Sequence, residues 1–425
     1  MTNYLEQRRT VAVVGAGVAG LTAAYILQRS YDVTLYEAEP RLGGHAHTHD
    51  IVTRDGRLLA VDSGFIVYNE RTYPNLIRLF GELGVETQPS DMTMSVRCEG
   101  CGLEYAGARG LGGVFAQWRN ATDPRFVRML FEIKRFHRSA RRVLEVAADD
   151  RVTLGEFLAS GRFSSYFVHH FMVPLVSCVW SCPPHIALHY PVRSLFMFLE
   201  HHGALSISGS PQWRTVVGGS RAYVERAAKG LTATELATPV RSVRRIEDGV
   251  ELRDDSDALR RFDAAVIATH ADEALALLSA PTPAERSLLG AFESSSNEAV
   301  LHTDGSLLPR SMRARASWNY LLDRCETESE HVRVSYHMNR LHQLDEPVDY
   351  LVTLNGGDVI PDDAVLARMT YAHPVYTTDA IAAQRRLPEL SDARLAFAGA
   401  YHGSGFHEDG CASGVRAAAS LRVAW

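Results

Sequence analysis

Thr10-Val11-Ala12-Val13-Val14-Gly15-Ala16-Gly17-Val18-Ala19-Gly20-Leu21 reads as a short buried strand, a glycine turn and the opening of a helix. The helix pattern runs on to Gln28, and Asp32 to Tyr36 is a second apolar strand that ends on Glu37. Glycines punctuate many turns, so Gly-x-Gly-x-x-Gly is informative only with a strand before it, a helix after it and an acid at the end of the next strand. All three are present here. Gly15 permits the tight turn, Gly17 lets a pyrophosphate approach the backbone, and Gly20 lets helix and strand pack closely. The helix start, at Val18 and Ala19, offers N–H groups and a positive dipole end to phosphate. Glu37 is placed to accept hydrogen bonds from ribose hydroxyls. The unit is therefore expected to hold a dinucleotide.

Ala38-Glu39-Pro40-Arg41-Leu42-Gly43-Gly44 follows directly. A fixed cation beside two phosphates, with glycines where backbone meets ligand, extends the same site. Downstream, Asp55-Gly56 between His47–Val52 and Leu58–Val61 signals a hairpin. Tyr73–Leu83, Phe126–Ala147, Leu154–Phe171 and Arg193–His201 read as helices, and Ala264–Thr269 and Leu395–Phe397 as buried strands.

The motifs resemble those of the flavin amine oxidase and phytoene desaturase superfamily. The Arg41-x-Gly43-Gly44 turn is similar to its second fingerprint, Thr238-Pro239-Val240 and Ala268-Thr269-His270 to strand ends near the dinucleotide, and Gly399-Ala400-Tyr401 with His407-Glu408-Asp409-Gly410-Cys411 to its closing motif. Longer stretches, Val61-Asp62-Ser63-Gly64-Phe65 through Pro74, Gln88–Met92, Pro211–Arg214 and Gly403–Gly410, resemble one branch of bacterial NAD/FAD-binding proteins associated with cyclopropane-fatty-acid-synthase-like methyltransferases. The resemblance implies an α/β Rossmann-type FAD-binding domain from residues 8–95, 215–275 and 390–425. A substrate domain of mixed sheet and helices would be inserted as 96–214 and 276–389.

It implies FAD as cofactor, held by Gly15, Gly17, Val18, Ala19, Gly20, Glu37, Ala38, Arg41, Gly43, Gly44, Asp62, Ser63, Gly64, Val240, Ala268, Thr269, Gly399, Glu408, Asp409, Gly410 and Cys411. The Ser-Gly-x-x-Cys type of attachment is absent, so FAD is expected to be non-covalent. A flavin takes hydride at N5 while the protein positions the substrate. Tyr401, His402 and His407 are the candidate proton-handling residues, since imidazole titrates near neutrality. The leading reading is oxidation or desaturation of a lipid acyl chain. The alternatives are a soluble amine oxidase and a non-catalytic flavoprotein partner of a lipid methyltransferase.

Composition bounds these readings. The 425 residues are 46% hydrophobic and 22% charged, which suits a large globular core. A formal charge of −6 argues against a nucleic-acid partner. No segment has the roughly 18 apolar residues of a spanning helix, and Met1–Thr10 is polar, so a cytoplasmic protein is expected. Leu195–Leu199 suits an acyl tunnel, a membrane-surface contact or a buried helix equally. Phe171–Val179 with Trp180 reads as core in preference to pocket wall. Cys98-x-x-Cys101 is a single pair among six cysteines and reads as two thiols at a hairpin tip, with no metal site expected.

Overall fold

The computed structural model describes residues 8–107, 109–146, 151–206, 210–326 and 332–425. Its organising element is a five-stranded sheet in the order Ala233–Glu235, Tyr31–Tyr36, Arg9–Val14, Ala264–Ile267, Leu395–Phe397. Every pairing in it is parallel. Such a sheet is covered on both faces, which is why its strands are runs of Val, Ala, Ile and Leu with almost no exposure. The helix Val18–Leu27 is buried at nine of its ten positions. It packs between the sheet and the C-terminal helix His407–Ser420, so the two ends of the chain meet. Each fully buried Leu or Ile here contributes about 1.5–3 kcal/mol.

A seven-stranded sheet carries the other half of the molecule. Its order is Val365–Val375, Glu293–His302, Leu351–Leu354, Val334–His337, Trp318–Leu322, Met94–Cys98, Glu104–Gly107. One pairing, Trp318–Leu322 with Met94–Cys98, is parallel and the rest are antiparallel. Helices Pro124–Glu145, Val173–Trp180 and Val192–His201 pack with this sheet in a core rich in Phe.

Two sequence expectations change. The helix expected over Leu154–Phe171 is interrupted: Leu154–Ser160 stops at Gly161, Arg162 takes φ +51°, and Ser164 caps a new helical run that passes through a π-helical turn at Val168–Met172. Buried Glu132 accepts the Ser164 N–H at 3.0 Å and fixes the break. Leu195–Leu199 lies in a largely buried helix, with Leu195, Phe196, Phe198 and Leu199 inside and Met197 outside.

Candidate functional site

A cavity of about 1710 Å³ runs from the glycine turn into the helical half of the molecule. That exceeds the usual 300–1,000 Å³ of a small-molecule pocket and leaves room for a dinucleotide and a substrate together. Its first part is lined by Gly15, Gly17, Val18, Ala19, Glu37, Ala38, Gly44, Ser63, Gly64, Val240, Ala268, Thr269 and Gly399, all expected from the sequence.

The local chemistry fits FAD. No side chain caps the helix Val18–Leu27, and its first-turn N–H groups have no intrahelical acceptor. A Cβ on Gly17 would meet nothing within 4 Å, so the backbone there faces open cavity. Gly15 holds φ +98°, and a Cβ on Gly20 would collide with the Gly15 carbonyl. The Glu37 carboxylate accepts the N–H groups of Ala16 at 2.8 Å and Glu39 at 3.0 Å, which fixes it while leaving lone pairs for ribose. Gly43 N–H donates to the Ala16 carbonyl at 2.9 Å and docks the second fingerprint onto the first.

Several expected residues stand behind this wall. Arg41 folds back to donate to the Gly44 carbonyl at 2.9 Å, bracing the turn rather than lining the cavity. Asp62 is buried, and accepts from the Ser220 N–H, the Ser220 hydroxyl and Thr48 Oγ1 at 2.6–3.0 Å. It joins the hairpin Thr48–Val52/Leu58–Asp62 to the helix Arg221–Ala228 and does not line the cavity. Glu408 accepts the Asn75 and Leu76 N–H groups at 3.1 and 3.0 Å, and so caps the helix Pro74–Leu83. Asp409 accepts the Phe406 N–H at 2.9 Å, and burial pushes its carboxyl up to about 6. Gly410 and Cys411 are buried behind this helix start, with the Cys411 thiol beside Thr22 Oγ1 at 3.5 Å.

Of the proton-handling candidates, His407 and Tyr401 line the cavity and His402 does not. His407 stacks on Phe65 and shares a 2.9 Å hydrogen bond with the Tyr223 hydroxyl, and burial lowers its pKa to about 3. The Tyr401 hydroxyl and the Trp318 indole N–H are buried, line the cavity, and find no hydrogen-bond partner among the described residues. His402 is held near 3 by burial, with the Arg416 charge adding to the effect.

The sequence reading missed a group of rings on the same cavity wall. His45 lies with ring centroids 5.0 Å from Tyr371, 5.4 Å from His373 and 6.1 Å from His270. The Tyr371 hydroxyl meets Ser63 Oγ at 2.7 Å and His47 Nδ1 at 3.1 Å. Burial depresses His45 and lowers His373 to about 4, so these two imidazoles are uncharged at neutral pH. The alternation His45-x-His47-x-His49 leading into a strand was the available signal, since such residues share a face. Trp180, read as core, is also cavity wall, and its Nε1–H donates to the Ser404 carbonyl at 3.1 Å.

Beyond these rings the lining turns apolar, with Val96, Phe115, Leu130, Phe171, Leu175 and Val179. Leu111 and Phe131 line this arm while being 77% and 68% exposed, so it reaches the surface through an apolar rim. Lys134 lines it on the same helix as Phe131.

A parallel sheet with an uncapped helix start facing the cavity, an acid fixed at the end of the second strand and a closing C-terminal helix is the arrangement of an FAD-dependent oxidoreductase. The chain belongs to the flavin containing amine oxidoreductase family, whose model matches residues 18–422. Cyclohexylamine oxidase from Brevibacterium oxydans is similar in structure at a TM-score of 0.67 and 18% identity, over 98% of this chain and 99% of that one. The CLA-producing fatty acid isomerase from P. acnes is similar at 0.65 and 15% identity, over 96% and 97%. The carotenoid phi-ring synthase of Streptomyces griseus is 42% identical over 64 residues, which span 15% of this chain and 12% of the synthase. No helix among the described residues is long and apolar enough to cross a membrane.

Proposed function

We propose that this oxidoreductase acts on a lipid acyl chain, removing hydride from a C–H bond. The observation that supports this reading is the apolar arm, which continues from the flavin site past Phe171 and Leu175 to the exposed rim of Leu111 and Phe131. A hydrocarbon chain gains about 0.8 kcal/mol for each CH₂ buried there, whereas a charged ammonium pays for desolvation. Lys134 stands on the arm with a charge suited to an acyl carboxylate or phosphate. Two of the proteins that this chain resembles carry a fatty acid and a carotenoid in their names.

Bound FAD supplies the hydride acceptor. The chain's own residues do the rest. Leu130, Phe171, Leu175 and Val179 exclude water and align the substrate chain, as a near-attack geometry requires. The Tyr401 hydroxyl and Trp318 N–H offer hydrogen bonds to the ligands they face. Neutral His407 is no imidazolium acid at pH 7, and its Nε2 is engaged by Tyr223. The site is thus built to orient and desolvate rather than to supply an acid.

Anaerobic mixing of the purified flavoprotein with phospholipid vesicles or a long-chain fatty acid tests this. Flavin bleaching by lipid but not by polyamines is the expected result. Bleaching by polyamines alone would replace the proposal with amine oxidation, and bleaching by neither would remove it.

A further inference from the structure

The hairpin tip Cys98-Glu99-Gly100-Cys101 does not stand alone. The fold brings His170 and Cys325 to it, 69 residues from Cys101 and 227 from Cys98 respectively. One ligand-capable atom from each of Cys98, Cys101, His170 and Cys325 lies within 4.8 Å of every other. We propose that these four side chains form a structural tetrahedral zinc site that clamps the helical wall of the cavity to the seven-stranded sheet.

The distances are those of a single ion's coordination shell. With Zn–S about 2.3 Å and Zn–N about 2.0 Å, a tetrahedron has S···S edges of about 3.8 Å and S···N edges of about 3.5 Å. Cys98 Sγ lies 3.8 Å from Cys325 Sγ, and Cys101 Sγ lies 3.6 Å from His170 Nε2. A disulfide needs its sulfurs at about 2.05 Å, so the Cys98–Cys325 spacing is that of co-ligands rather than of a bond.

The groups around the four ligands have the form that metal sites require. His170 Nδ1 is 3.1 Å from the Tyr166 carbonyl, so Nδ1 carries the proton and the Nε2 lone pair faces the sulfurs. The Tyr166 ring stacks on His170 at 4.1 Å, and the Tyr105 hydroxyl donates to the His170 carbonyl at 2.7 Å. Backbone N–H groups of Cys101 and Leu103 donate to the sulfurs of Cys98 and Cys101. Gly100 lets the loop carrying Cys325 approach, since a Cβ there would lie 2.9 Å from the Cys325 nitrogen. His170 sits in the π-helical turn Val168–Met172, an uncommon local form that re-aims a side chain at little cost to the helix.

Three thiolates, a neutral imidazole and Zn²⁺ carry a net charge of −1, and binding sends the thiol protons to solvent. Arg125, whose guanidinium lies over the Tyr166 ring at 5.3 Å and pairs with Asp123 at 2.9 Å, is a cation near the site. With four protein ligands the site has no open position, so it is structural rather than catalytic. Its leverage is positional. Phe171, immediately after His170, lines the apolar arm, and Leu175 follows one turn on.

The test is metal analysis of the full-length flavoprotein, purified under reducing conditions from zinc-supplemented cells. About one zinc per chain is expected after gel filtration. Replacement by cobalt should give the intense long-wavelength d–d bands of tetrahedral S₃N coordination, clear of the flavin absorption. His170→Ala should weaken zinc retention against a chromogenic chelator by more than about tenfold. Cys325→Ser should do the same. Chelation of the wild type should lower its melting temperature. Sub-stoichiometric zinc together with no cobalt bands in the wild type would overturn the proposal, and both readings stand even if a variant fails to fold. Equal zinc in Cys325→Ser, or a Cys98–Cys325 disulfide found by peptide mapping of unreduced protein, would also overturn it.

Discussion

His407 lies face to face on Phe65, with ring centroids 3.7 Å apart and planes inclined by 9°. Burial holds the imidazole neutral, and the stack and the Tyr223 hydroxyl fix its position at the wall of the cavity. His407→Phe should keep the stack and leave the Tyr223 hydroxyl buried and unpaired, costing about 1–3 kcal/mol in urea unfolding. Adding Tyr223→Phe should recover part of that loss. Additive losses in the double variant would mean that the two residues are not coupled.

Asp62 is a structural hub behind the cavity wall. It binds three donors and faces His342 Nε2 at 3.4 Å with almost no exposure. Asp62→Ala leaves those donors unsatisfied and should cost about 3–5 kcal/mol, whereas Asp62→Asn should cost less. Whatever folds should bind FAD with nearly unchanged affinity. A selective loss of FAD affinity with unchanged stability would return Asp62 to the ligand site.

Glu37 accepts from the glycine loop and lines the cavity, where a ribose is expected. Glu37→Gln keeps an acceptor and removes charge from it. Glu37→Ala also releases the Ala16 and Glu39 N–H groups. With about 1.5–3 kcal/mol for a charged hydrogen bond, the Kd for FAD should rise about 10- to 150-fold in the alanine variant, read by titration of apoprotein.

Acid should unfold this protein early. Burial, the main cause at each, lowers His47, His402 and His407 to about 3 and His137, His202, His302 and His373 to about 4. In the unfolded chain each binds a proton near pH 6.5 while the folded one does not. The stability they contribute is present above pH 6.5 and is lost as pH falls toward 4, at up to about 1.4 kcal/mol per pH unit for each histidine. Asp409 opposes this, because its raised carboxyl favours the folded state as pH falls through 6. Urea midpoints should therefore fall steeply between pH 6.5 and 4, and more steeply in Asp409→Asn. A flat profile would contradict the buried, neutral state of these rings.

The dinucleotide half was legible because its signal is local. Strand, glycine turn, helix and acid lie within Thr10–Glu37, and each residue type there has a mechanical role that spacing alone reveals. Tyr371 and His373 were illegible because they reach His45 only through the strand Val365–Val375, more than three hundred residues on. The neighbours of the Cys98–Cys101 pair were hidden for the same reason, lying on a distant helix and loop. Asp62 stands behind the wall although its neighbours Ser63 and Gly64 line the cavity, because a strand turns alternate side chains to opposite faces.

The central claim is that the two ends of the chain close around one FAD, and its most direct test is the flavin content of the purified full-length protein. Acid precipitation followed by chromatography of the supernatant should recover about one free FAD per chain, the stoichiometry and non-covalent hold expected of a site whose Cys411 thiol is turned into the core. A colourless protein that apo-reconstitution cannot load with FAD, or flavin that stays with the precipitated chain, would contradict the account.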